Sequence, residues 1–169
     1  MDKGLTNYDI KRILHGKCNI VLYPDLYKYK DIDQLLYPHN CCILLYENRP
    51  KHGHWVVLIK NKDGIEFFNS YGGLPDGTFD YISNSFRMKS NQDKPYLSDL
   101  LINSKYPLYY NEFQFQKDGK QYRTCGRHAS LRALLKDLNI YKYKALLDYL
   151  ANIMNIPGDY DKLVTYLTS

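Results

Sequence analysis

The sequence has no long apolar run. Its longest uncharged apolar stretch, Cys41-Cys42-Ile43-Leu44-Leu45-Tyr46, falls far below the roughly 18 residues that mark a membrane span. The start of the chain, Met1-Asp2-Lys3-Gly4-Leu5-Thr6-Asn7, lacks the apolar core and small-residue cleavage site of a secretory signal. Cysteine is scarce: Cys18, Cys41, Cys42 and Cys125 follow no regular spacing. That argues against a disulfide framework and for a reducing interior. There is no block of like charges, no internal repeat and no composition shift that marks a linker. These absences exclude a collagen-like rod, a low-complexity linker and a disordered tail.

What remains is ordinary globular usage: 169 residues, 44% hydrophobic and 24% charged. One domain over residues 1–169 is expected, long enough to bury about 70% of its unfolded surface. The 23 Lys and Arg exceed the 18 Asp and Glu, for a net charge of +5. A basic balance permits an acidic partner such as nucleic acid, although the positive residues are scattered and solubility accounts for them equally well. Adjacent strand residues point to opposite faces, so Cys41 and Cys42 read as buried hydrophobes rather than a joint metal grip. No His or Cys spacing matches a zinc site.

The hydrophobic pattern places helices over 7–15 and 31–36, then strands over 41–46, 54–60 and 65–68. An Asp63-Gly64 turn joins the last two. A helix over 79–86, another from Ser98, and an aromatic strand over 106–115 follow. From Thr124 a strongly apolar helix runs to Asn139, and helices over 143–154 and 159–167 close the chain. Helices, then a meandering sheet, then helices describe an α+β fold with a central, mainly antiparallel sheet.

Chemistry concentrates in a few residues. Cys125 stands at the start of a helix, whose positive end favours a thiolate, and Gly126 admits close backbone approach. A cysteine nucleophile needs a base. His54 opens a strand after a Gly-containing turn; His52 would share its face if the strand began earlier, and His128 lies one turn beyond Cys125. The base needs an orienting partner, and Asn69 ends the strand paired with that of His54. Asp63, at the hairpin tip, and Glu66, read as solvent-facing, are the acidic alternatives. A side-chain amide from Gln114, Gln116 or Gln121 could join the Cys125 N–H as an oxyanion donor.

His54-Trp55, then Phe67-Phe68-Asn69-Ser70-Tyr71-Gly72, then a glutamine, then Thr124-Cys125-Gly126 resembles the adenovirus-protease (adenain) and ubiquitin-like-protease group of cysteine peptidases. The small proteases of virophages, polinton-type elements and large DNA viruses are the most similar. The resemblance spans about residues 41–135. It implies an adenain-type cysteine-protease fold, with Cys125 as nucleophile, His54 as base, Asn69 as third member and Gln116 as oxyanion donor. Adenain has glutamate and the SUMO proteases aspartate where Asn69 stands. The resemblance implies a viral endopeptidase that cuts capsid or other structural proteins during virion maturation, working as a monomer without cofactor or metal. Its setting would be the virion and the virus factory of the host cell. DNA or an activating peptide would be candidate activators; no cysteine is obviously placed to bond such a peptide, and Cys18 is the one candidate outside the apolar core. A deconjugase for ubiquitin-like modifiers, an acetyltransferase on the same scaffold and a non-catalytic virion or DNA-binding protein are the rival readings.

Overall fold

A computed structural model describes residues 3–169. Helix α1 (Asn7–Ile13) opens with a capping box, in which Thr6 and Asp9 satisfy each other's backbone N–H. Strand β1 (Asn19–Leu22) leads into a 3-10 segment and helix α2 (Ile32–Leu36). Strands β2 (Cys41–Arg49), β3 (His52–Asn61) and β4 (Gly64–Phe68) follow as a meander. Helices α3 (Asn84–Lys89) and α4 (Tyr96–Ile102) and the short strand β5 (Leu108–Tyr110) come next. Helices α5 (Cys125–Leu134), α6 (Ile140–Ile153) and α7 (Tyr160–Leu167) complete the chain.

The strands form one sheet in the order β1-β2-β3-β4-β5. Its centre, β2-β3-β4, is antiparallel, and β1 and β5 join the edges in parallel. The fold is therefore α+β with a mixed sheet. Each face of the sheet carries its own core. Cys41, Ile43, Leu45, Trp55, Val57, Ile59 and Phe68 pack with α1, α5, α6 and α7. Cys42, Leu44, Val56, Leu58 and Phe67 pack on the opposite side with α2 and α4. Period-two alternation accounts for this split, and it sends Cys41 and Cys42 apart as the sequence predicts.

Several element boundaries differ from the sequence reading. The predicted helix over 79–86 is two pieces, because Ile82 is extended and Ser83 caps α3 afresh through the Phe86 N–H. The aromatic stretch 106–115 is strand only at Leu108–Tyr110. Ser98 is not a cap: α4 starts at Tyr96, and the Ser98 hydroxyl donates to Asp76. Asn139 does not end α5 but caps α6, its side chain accepting from the Lys142 N–H. Glu66 is not solvent-facing. It is 4% exposed and paired with the fully buried Arg132 through contacts of 2.8 and 2.9 Å.

Two glycines hold the backbone where the candidate site needs it. A Cβ on Gly53 would stand 1.8 Å from the Tyr46 carbonyl oxygen, so only glycine lets β3 meet β2 directly before His54. Gly72, at φ +83°, would place a Cβ 2.6 Å from the Glu112 carbonyl, at the turn that follows Asn69.

Candidate active site

Strand β3 begins at His52, two residues before His54. His52 is nevertheless exposed at the bulged end of the β2–β3 pairing. His54 is half-buried, and its Nε2 lies 2.8 Å from Asn69 Oδ1. That oxygen also accepts the Tyr71 N–H at 2.9 Å, which fixes the orientation of the Asn69 amide. An oxygen facing Nε2 makes Nε2 the protonated nitrogen, so Nδ1 keeps its lone pair. Burial pushes His54 down to about 4; the Asn69 bond opposes this and His128 adds to it. The imidazole is therefore neutral at pH 7.

Asn69 is itself held by a residue that sequence reasoning missed. The Asn111 side chain accepts the Asn69 N–H at 3.1 Å and donates to the Asn69 carbonyl at 2.7 Å. It mimics a strand partner just where β5 has ended. The Asn111 carbonyl also accepts the Gly73 N–H at 2.9 Å. Asparagine after an aromatic strand segment was the only signal available, and nothing local distinguishes it from a turn residue.

Cys125 is the first residue of α5. The Thr124 side chain makes no cap bond to the helix; its hydroxyl donates to Asp161 instead. The first N–H groups of the helix, those of Cys125 and Gly126, thus face the thiol rather than a side-chain cap. The N–H groups of Trp55, Gly126 and Cys125 favour the thiolate, but burial outweighs them and pushes the thiol up. The helix start alone predicts the opposite shift; desolvation wins here. The Trp55 contact sets the sulfur beside the backbone of the residue that follows His54. Gly126 does not open a path for substrate. A Cβ there would meet Leu5 at 3.1 Å and the Trp55 ring at 3.2 Å, so its smallness serves packing. The Trp55 indole N–H also donates to the Leu5 carbonyl at 3.2 Å.

Of the three glutamines, Gln116 is the one drawn into this cluster. It is 1% exposed. Its Oε1 accepts from Ser70 Oγ at 2.7 Å, and its Nε2 donates to Tyr71 OH at 3.1 Å and to the Tyr122 carbonyl at 2.8 Å. The Ser70 carbonyl accepts the Gln116 N–H at 2.9 Å, tying the segment to the Asn69 turn. Gln114 instead braces the Gln116 carbonyl and Asp118, and Gln121 is exposed near Gly119. The Tyr71 ring stacks on His54, with centroids 5.0 Å apart and 23° between planes.

His128 is engaged by Asp161. It is fully buried, and its Nε2 lies 3.0 Å from Asp161 Oδ1. Asp161, on α7, also accepts from Thr124 Oγ1 and, at 3.0 Å, from the Lys117 N–H. Burial would raise this carboxyl, but the three donors together hold it below the usual range. Cys18 is not placed to bond an activating peptide: it is buried in the α5-side core and its thiol touches that of Cys41.

A cysteine at an open helix start, an imidazole in a fixed tautomer and a buried amide define a candidate thiol centre at the rim of an α+β sheet. The chain belongs to the family of the "Uncharacterized protein V9" of Sputnik virophage, to which it is 48% identical over 166 residues, 98% of this chain and 94% of V9. No protein-family model matches. Similar solved structures include the SUMO protease Ulp1, at 16% identity and a TM-score of 0.46, covering 99% of this chain and 80% of that one. The ASFV pS273R protease is similar at 18% identity and a TM-score of 0.42, covering 80% of this chain; the present chain spans 59% of its length. Among the described residues no helix is long and apolar enough to cross a membrane.

Proposed function

We propose that this protein is a cysteine endopeptidase. The observation that carries the reading is the His54–Asn69 bond, which leaves Nδ1 as the free base on the residue before Trp55, whose backbone N–H meets the Cys125 sulfur. Cys125 Sγ attacks the substrate carbonyl carbon while its proton passes to His54 Nδ1. The carbonyl π pair moves to oxygen, which is stabilised by the Cys125 N–H and by a side-chain donor from the hydrogen-bonded Gln116–Tyr71 pair. Collapse breaks the C–N bond, and His54 returns the proton to the leaving amine. Water then attacks the thioester carbon while His54 Nδ1 takes its proton; collapse breaks the C–S bond, and the proton returns to Cys125 Sγ. Asn69 holds the ring throughout. The substrate we propose is a viral structural protein, cut during virion maturation in the virion or the virus factory. The motif resemblance and the kinship with a virophage protein support that choice.

The test uses p-nitrophenyl acetate as an acyl donor and the capsid protein of the same virus as a protein substrate. Mass spectrometry should find the acetyl group on Cys125. His54→Ala should slow its transfer by about 10²-fold or more, the usual contribution of a general base. Capsid fragments should appear with wild type and not with Cys125→Ala. Equal acetylation of all four thiols, independent of His54, would sink the reading.

A further inference from the structure

We infer that the Tyr71 hydroxyl is the side-chain group that donates to the oxyanion, with Gln116 acting through it. The inference rests on the cysteine-hydrolase reading above. It begins from hydrogen-bond capacity. A side-chain amide has two N–H donors, and both hydrogens of Gln116 Nε2 are engaged, with Tyr71 OH at 3.1 Å and the Tyr122 carbonyl at 2.8 Å. Its oxygen is held by Ser70 at 2.7 Å. Gln116 is almost wholly buried, so turning its amide toward a substrate would break a closed set of bonds.

The phenol has the capacity that the amide lacks. Its oxygen accepts from Gln116, and among the described residues nothing accepts its own hydrogen. Its ring is pinned against His54 and the residue is 36% exposed, so the group lies between the buried amide and the open side of the site. Burial first, and then a negative charge on Cys125, push Tyr71 up to about 12. The phenol therefore stays protonated at neutral pH, and it feels the charge at the reacting centre. A donated hydrogen bond from Gln116 polarises the O–H and strengthens its own donation. No proton is transferred in this role: the O–H only shares its hydrogen with the oxyanion while His54 carries the proton from sulfur. Tyr71 thus joins the Cys125 N–H as a catalytic residue, and Gln116 becomes a positioning residue.

Tyr71→Phe removes the hydroxyl and keeps the stacking ring. Two reactions at the same sulfur separate the possibilities. Acylation by p-nitrophenyl acetate passes through an oxyanion; alkylation by iodoacetamide does not. The variant should acylate about 10²-fold more slowly, the scale of one lost oxyanion donor, with alkylation of Cys125 unchanged. Equal or faster acylation in the variant overturns the inference, because the hydroxyl would then merely rest on Gln116 until substrate displaces it. A parallel loss of both reactions also overturns it and assigns Tyr71 a structural role. If wild-type Cys125 is acylated no faster than glutathione, the hydrolase reading falls and the inference falls with it. Fast, His54-dependent acylation that ignores Tyr71→Phe removes this inference alone.

Discussion

The charge state of the resting Cys125–His54 pair can be tested by alkylation across pH. Thiolate–imidazolium pairs preformed in the free enzyme react at a plateau that begins well below neutrality. Here burial pushes His54 down to about 4 and pushes the Cys125 thiol up. Against an ordinary thiol near about 8.5, the gap exceeds about 4 pH units, which disfavours the ion pair by about 6 kcal/mol. Even at a separation of about 4 Å and an effective dielectric near 20, mutual attraction of the charges would return only about 4 kcal/mol. The neutral pair wins. In the proposed mechanism, deprotonation then belongs to the attack on the carbonyl, as general-base catalysis, and not to the resting protein. The assay is the rate of iodoacetamide modification of Cys125, read by mass spectrometry from pH 5 to 8. The rate should climb about tenfold per unit, following the thiolate fraction, and His54→Ala should alter the slope little. A His54-dependent plateau below pH 7 would refute the reasoning.

Two further predictions concern the frame around the site. Glu66→Gln strips the charge partner from Arg132, which would keep one amide oxygen as acceptor beside the carbonyls of Leu135 and Leu138 and the Tyr143 ring. An uncompensated buried guanidinium should lower stability by about 3–5 kcal/mol, and urea unfolding that moves by less than about 1 kcal/mol would count against it. Acid should destabilise the protein well above the carboxylate range. His54 titrates at about 4 when folded, against about 6.5 when unfolded. Between those values the unfolded chain binds more protons, so stability rises with pH there and is lost as pH falls. The buried His128 is also pushed down and adds to the same slope. A melting temperature that is flat from pH 7 to 4 would contradict both assignments.

The sheet was legible where its signal is local. The apolar run of β2, the Asp63-Gly64 turn and the alternation through β3 need only neighbouring residues, and the observed register follows from them. The 106–115 segment was not legible, because its length as a strand depends on what lies beside it. β5 pairs with β4 over three residues, after which the Asn111 side chain and the Ser70 carbonyl take over the bonds that a strand would make. Aromatic composition cannot report that exchange. Glu66 failed for a related reason. Charge suggests solvent, and only the arrival of Arg132 from 66 residues away reverses the expectation.

The site shows the same division more sharply. His54, Asn69 and Cys125 could be picked out because residue type and element position together restrict what they can do. The residues that hold them could not, since their roles come from distances across the chain. Asp161 is the clearest case. From α7 it gathers the Lys117 N–H, the Thr124 hydroxyl and His128. Those partners bracket the loop between Gln116 and Cys125, so one buried carboxylate fixes both ends of the segment that joins the amide to the thiol. The same grip draws Thr124 away from capping α5. With the Thr124 side chain turned to Asp161, the Cys125 and Gly126 N–H groups are left to the sulfur. The histidine one turn after the cysteine is a rival base by position; its burial against Asp161 makes it part of the anchor that sets Cys125 in place.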